Sequence, residues 1–140
     1  MTQFVLLLGS NRDDAIAQLE HAVESLIARW GVSQLSAAQR SAPRDGEADI
    51  ASYLNQALVL DSDLSAAELK LELKVLETSL GRLRPMPASG ICAIDIDIVL
   101  SRHTDSEAWQ VLDPKTLSFE YARVALAPWL ELAPLRWQCR

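Results

Sequence analysis

Asp95-Ile96-Asp97 places two carboxylates at i and i+2 of a stretch that reads as a strand, so both point to one face, roughly 7 Å apart. Mg²⁺ binds through one or two carboxylates plus substrate phosphates, and such a pair can position ions against a triphosphate. Eleven residues before Asp95, Gly81-Arg82-Leu83-Arg84 brings two guanidinium groups suited to bidentate phosphate contact. Together they point to phosphoryl chemistry on ATP. Taken singly, each has a plainer explanation. Asp is tolerated on a solvated strand face, and arginines are favourable beyond a helix C-terminus. The intervening stretch, residues 85–94, is poor in the polar groups that such chemistry would use.

Other residues could complete a site. Gly9-Ser10-Asn11 stands where an apolar run gives way to a helical pattern, and reads as a turn and cap or as an anion site at a helix N-terminus. Tyr53 and Asn55 alternate onto one face, where a ring and a carboxamide could hold a flat heterocycle. Glu77 lies off the apolar stripe of its helix, either solvated or close to the phosphate site. His21 and His103 suggest neither a metal cluster nor a Ser/His/Asp triad.

The elements that must position these groups follow from periodicity. Residues 4–8 form a continuous apolar run ending at Gly9, the pattern of a buried central strand. Asn11 offers a cap, and Ile16, Leu19, Val23, Leu26, Ile27 and Trp30 then recur at helical spacing up to Gly31. Residues 32–42 read as a weaker strand near an edge, 43–50 as a polar loop, and 53–60 as a third strand. Ser65 with Glu68 makes a capping box for a helix carrying Leu69, Leu73, Leu76 and Leu80 and ending at Gly81. Residues 82–90 are a loop with Pro85 and Pro87, and 92–100 a fourth strand with Ile94, Ile96 and Ile98 opposite the aspartates. Beyond Ser101 the pattern weakens; residues 118–131 predict one helix or two, broken near Pro128. The order β-α-β-β-α-β predicts an α+β, ferredoxin-like core: an antiparallel sheet with helices packed on it and an extra C-terminal helical segment.

Composition narrows the function classes. The 140 residues suit one domain, 1–140, with 49% apolar and 23% charged residues. A net charge of −6 with no basic run argues against nucleic acid and anionic membranes as partners, though not against ATP, which a local arginine cluster can bind. Cys92 and Cys139 form no CxxC pair, no basic leader precedes the first apolar run, and no run approaches the roughly 20 apolar residues of a membrane span. The expectation is a soluble cytoplasmic protein with reduced thiols.

In order and spacing, Leu8-Gly9-Ser10-Asn11, Tyr53-Leu54-Asn55, Leu76-Glu77, Gly81-Arg82-Leu83-Arg84, Asp95-Ile96-Asp97-Ile98-Val99-Leu100 and the closing Ala127-Pro128-Trp129-Leu130-Glu131-Leu132-Ala133-Pro134 resemble the 6-hydroxymethyl-7,8-dihydropterin pyrophosphokinases. The resemblance runs from about residue 4 to 134. It implies transfer of the β,γ-diphosphate of ATP to the hydroxymethyl group of a dihydropterin, with release of AMP, in folate biosynthesis. It implies two Mg²⁺ on Asp95 and Asp97, and a pterin site formed by Gly9, Pro43, Tyr53 and Asn55. It places Glu77, Arg82, Arg84, Ile98 and Arg123 around the nucleotide, with both loop arginines catalytic.

The chain departs from that family in two places. The loop's Trp and Arg positions are Ser89 and Cys92 here. The Pro-His segment before the last helix reads Asp113-Pro114-Lys115-Thr116, and the second pterin-stacking aromatic falls near Val124. Lys115 and Arg123 are the candidates to replace lost phosphate contacts. These changes leave two alternatives to the full reaction: a non-catalytic pterin or nucleotide binder, and the same chemistry on a different heterocyclic alcohol.

Overall fold

A computed structural model describes residues 1–41, 52–104, 108–130 and the backbone of 135–137. The central strand β1 (Thr2–Ser10) is buried along almost its whole length because both faces of the sheet are covered. Phe4, Leu6 and Leu8 enter one core with helix α1 (Ala15–Trp30) and helix α2 (Ala66–Ser79). Val5 and Leu7 enter a second core with helix α3 (Pro114–Leu117) and helix α4 (Glu120–Leu130). A strand with two apolar faces shows no alternation, which is why residues 4–8 read as a continuous run.

β1 lies between β4 (Leu54–Ser62) and β5 (Asp95–His103), antiparallel to both. The sheet order is β2-β4-β1-β5-β6-β7, where β2 is Gln34–Leu35, β6 Trp109–Val111 and β7 Leu135–Trp137; β3 (Gln39–Arg40) also pairs with β4. All these pairings are antiparallel except β6 with β7. The ferredoxin-like α+β plan is therefore present, with α1 and α2 on one face. The additional helices close the opposite face over only part of its length.

Local departures from the sequence reading have physical causes. The expected edge strand over 32–42 is two short pieces on β4. Helix α1 starts at Ala15 with Asp14 as its N-cap residue and no side-chain cap; Asn11 is engaged elsewhere. Ile16 and Ile27 are exposed, and the buried stripe of α1 runs through Ala15, Gln18, Leu19, Ala22, Val23 and Leu26. The capping box of α2 forms as expected. Strand β5 begins at Asp95, and a register shift opposite Val5 and Leu6 leaves Val99 as an extra residue, a bulge that sends both Val99 and Leu100 into the second core. Helix α4 continues through Pro128, which forgoes one backbone hydrogen bond near its C-terminal end. The expected loop at 43–50, with Pro43, lies outside the described residues.

Candidate active site

The register assembles the site. Gly9 pairs with Asn55 on one side and Asp95 on the other, and Leu7 pairs with Ala57 and Asp97. All six therefore project on the sheet face that carries α3 and α4, at the end those helices leave open. A cavity of ≈ 240 Å³ opens there, lined by Leu7, Gly9, Ser41, Tyr53, Asn55, Asp95, Asp97, Lys115, Thr116, Phe119 and Tyr121. That volume lies below the roughly 300–1,000 Å³ of pockets for drug-sized ligands, and suits one ring system.

Gly9 is small for a reason: a Cβ there would stand 3.1 Å from Asn55 Oδ1 and 3.3 Å from Tyr53 Cδ1. Asn55 donates from Nδ2 to Ser41 Oγ at 2.8 Å, and Ser41 Oγ in turn lies 3.4 Å from the Tyr53 carbonyl, to which it donates. This relay turns Asn55 Oδ1 toward Gly9 and the cavity, so Asn55 offers an acceptor to a ligand's N–H edge.

Three aromatic rings line the cavity. Phe119 and Tyr121 stack with centroids 5.6 Å apart, close to the opening of α4, whereas Val124 is exposed. The aromatic wall expected near Val124 is thus supplied by Phe119 and Tyr121. Sequence reasoning missed both, together with Ser41 and Thr116. The available signal was the pair of aromatics, Phe119 and Tyr121, flanking the first residue of α4.

The Asp97 carboxyl hydrogen-bonds that of Asp95, so the two acids crowd one another. Burial first, and then the charge of Asp95, push the Asp97 carboxyl up to about 8, with Asp113 and Glu77 adding to the effect. Two crowded carboxylates facing a cavity fit a divalent cation, whose charge relieves their repulsion. Among the described residues no His/Cys/Asp/Glu group of three or more could form a closed metal cage. That donor set suits Mg²⁺, which keeps waters and takes phosphate oxygens.

A pH-dependent result follows. Between about pH 4 and 8 the ion-free folded protein holds a proton on Asp97 that an unfolded chain, near pKa 3.9, has lost. This contribution to stability is fully present below about pH 4 and is lost as pH rises through about 8. A Mg²⁺ ion held by Asp97 would displace that proton, so its affinity is expected to rise up to about tenfold per pH unit between 6 and 8. Calorimetry at pH 7 in buffers of different ionisation enthalpy should show proton release, and Asp97→Asn should abolish it.

Behind the carboxylates lies an ionic cluster. Glu77 is 3% exposed. Among the described residues, β6 pairs with β5 only at Leu100 and Ser101, and the outer edge of β5 near Asp95 has no strand partner. Glu77 Oε2 fills that gap, accepting from the Ile96 N–H at 2.7 Å. Its carboxylate also takes Arg84 Nη2 and stands 3.5 Å from Arg82 Nη1. Arg82 Nη1 reaches Asp95 Oδ1 and the Ile94 carbonyl, each at 3.0 Å. Burial raises the Glu77 pKa despite the Ile96 amide and Arg84.

The structure therefore brings together Gly9, Tyr53, Asn55, Asp95 and Asp97 around the cavity, and Glu77, Arg82 and Arg84 behind it, with Asp95 shared. Ile98 packs against the first core instead. Of the two candidate phosphate cations, Lys115 lines the cavity, while Arg123 donates to the carbonyls of Leu117 and Ser118. The histidine-free Asp113-Pro114-Lys115-Thr116 segment forms the start of α3, where Asp113 caps Thr116 through its N–H and its hydroxyl. Cys92 is buried, and its backbone is held by Ser10 and Asn11.

Comparisons with known proteins identify the family. The family described as 7,8-dihydro-6-hydroxymethylpterin-pyrophosphokinase matches residues 5–134. The chain is 33% identical over 135 residues to the 2-amino-4-hydroxy-6-hydroxymethyldihydropteridine pyrophosphokinase of Methylorubrum extorquens, an alignment covering 96% of this chain and 84% of that protein.

Proposed function

This chain belongs to the 7,8-dihydro-6-hydroxymethylpterin-pyrophosphokinase family, and we propose how its residues divide the work of ATP-dependent diphosphate transfer to 6-hydroxymethyl-7,8-dihydropterin in folate synthesis. The observation that carries the proposal is the meeting of Asp95 and Asp97 with Tyr53, Asn55, Phe119 and Tyr121 in one cavity. The ring lies among the aromatics, its N–H edge read by Asn55 Oδ1 under the control of Ser41. Gly9 leaves room for Asn55 and Tyr53. The hydroxymethyl group then points at the carboxylate pair.

Family enzymes use ATP with Mg²⁺. Here Asp95 and Asp97 would hold two ions, which neutralise and orient the triphosphate when bound. The pterin oxygen bonds to the β-phosphorus and loses its proton, the bond from that phosphorus to the α–β bridging oxygen breaks, and AMP leaves. Lys115, Arg82 and Arg84 supply positive charge for the phosphates, with Glu77 holding the two arginines. The catalysis is positioning and charge neutralisation. No described helix is long and apolar enough to cross a membrane. We take the protein to be a single-domain cytoplasmic enzyme.

The test is AMP formation from ATP and 6-hydroxymethyl-7,8-dihydropterin with Mg²⁺. The absence of AMP despite tight pterin binding would favour the non-catalytic binder. One observation gives that reading weight: Ser89 and the buried Cys92 stand where the family places a covering Trp and a phosphate-binding Arg. Gly9→Ala tests the pterin site. The new Cβ must push aside Asn55 Oδ1 and Tyr53, and loss of one hydrogen bond of about 1–1.5 kcal/mol predicts about tenfold weaker pterin binding. Binding of a non-hydrolysable ATP analogue should not change.

A further inference from the structure

We infer that Gln18 is a positioning residue for this reaction: its carboxamide fastens together the two ends of the segment that carries Arg82 and Arg84. Gln18 lies on α1 at 4% exposure, the polar member of an otherwise apolar buried stripe. A buried amide is costly unless its hydrogens are used. Gln18 uses both, donating from Nε2 to the Leu80 carbonyl at 2.7 Å and the Ala93 carbonyl at 3.1 Å. Leu80 ends α2, and Ala93 lies two residues before β5. Because the two N–H bonds of one amide diverge in a plane, they hold those carbonyl oxygens roughly 5 Å apart.

The neighbouring contacts make this a closed neck. Asn11 accepts from the Cys92 N–H at 2.6 Å and donates to the Gly90 carbonyl at 2.9 Å. Just inside the fastened ends, Gly81 and Gly90 have φ of 98° and 73°, a conformation that lets the chain turn away at each side. From that neck Arg82 reaches Asp95 and the carbonyl of Ile94, the residue after Ala93. The spacing set by Gln18 is thus the spacing between the arginines at the end of α2 and the carboxylates at the start of β5. The aromatic and Asn55 side of the pterin cavity lies on the opposite face of the sheet from α1, away from this amide.

The test is Gln18→Met, which keeps length and removes both donors. The inference rests on the proposed reaction for its kinetic arm and is independent of it for its exchange arm. Cooperative unfolding should persist, with pterin binding within twofold of the parent. The kcat should fall about 10–100-fold, the scale of a small misplacement of catalytic groups. Backbone amide exchange should quicken at least about tenfold across residues 82–90 and remain unchanged in β1 and β4. Gln18→Glu, protonated in this buried setting, keeps one of the two bonds and should fall between parent and Met variant. A kcat within twofold of the parent, unchanged exchange at 82–90, or quickened exchange spread evenly over the chain would each overturn the inference. Should the parent form no AMP, the functional reading alone falls, and the exchange result still decides the role of Gln18.

Discussion

Asp97→Asn is expected to abolish AMP formation, lowering kcat/KM by at least about 10³-fold, or about 4 kcal/mol of transition-state stabilisation. Asparagine has the shape of aspartate and can keep the hydrogen bond to Asp95, so the strand and the cavity should survive. What it removes is one of the two charges that can hold a cation against the triphosphate. The same change relieves a strained feature of the ion-free protein. Asp97 is buried beside Asp95 with its carboxyl pushed up to about 8, and an amide has no charge to desolvate. The ion-free Asn variant should therefore be at least as stable as the parent at pH 8, with Mg²⁺ no longer raising its melting temperature. Loss of activity together with equal or greater stability separates a chemical role from a structural one. Undiminished turnover in this variant would sink the assignment of the carboxylate pair.

Glu77→Leu carries the second large effect, and it falls on stability as well as rate. The change leaves the Ile96 N–H without its acceptor, and deprives Arg82 and Arg84 of a shared, nearly fully buried carboxylate. Arg82 keeps Asp95, but its side chain is only 15% exposed and its Nε already lacks a partner among the described residues. Breaking a buried ion pair from one side typically costs about 3–5 kcal/mol. At the few degrees per kcal/mol typical of domains near this size, the melting temperature should drop by roughly 10–20 °C. Glu77→Gln retains an acceptor for Ile96 and should lose less stability, yet it should still lower kcat because Arg84 loses its charged partner and Arg82 keeps only Asp95. A melting temperature within 3 °C of the parent in the Leu variant, read by calorimetry, would show that Glu77 does not organise this corner.

These two residues differ in how visible they were. Asp97 was legible because strand alternation is a local rule: two aspartates between three isoleucines announce a polar face opposite an apolar one. Glu77 was visible only as a residue off its helix's apolar stripe. Whether such a residue meets water or a strand edge depends on where β6 stops, which no window around Glu77 contains. The same limit applies to Asn11. Its position before α1 suggested a cap, but the unpaired backbone of Gly90 and Cys92, about eighty residues away, claims its carboxamide instead.

By itself the sequence determined the order of the core elements through β5, the burial of β1 as a central strand, the capping box of α2, the family, and the carboxylate pair with its nearby arginines. Periodicity, capping and spacing are short-range, so they survive in a linear string. Only the tertiary structure decided that Phe119 and Tyr121 supply the aromatic wall, that Lys115 rather than Arg123 faces the cavity, and that Gln18 ties α2 to β5. Those outcomes depend on strand register and on hydrogen bonds between residues far apart in sequence, where a shift of one residue moves a side chain to the other face of the sheet.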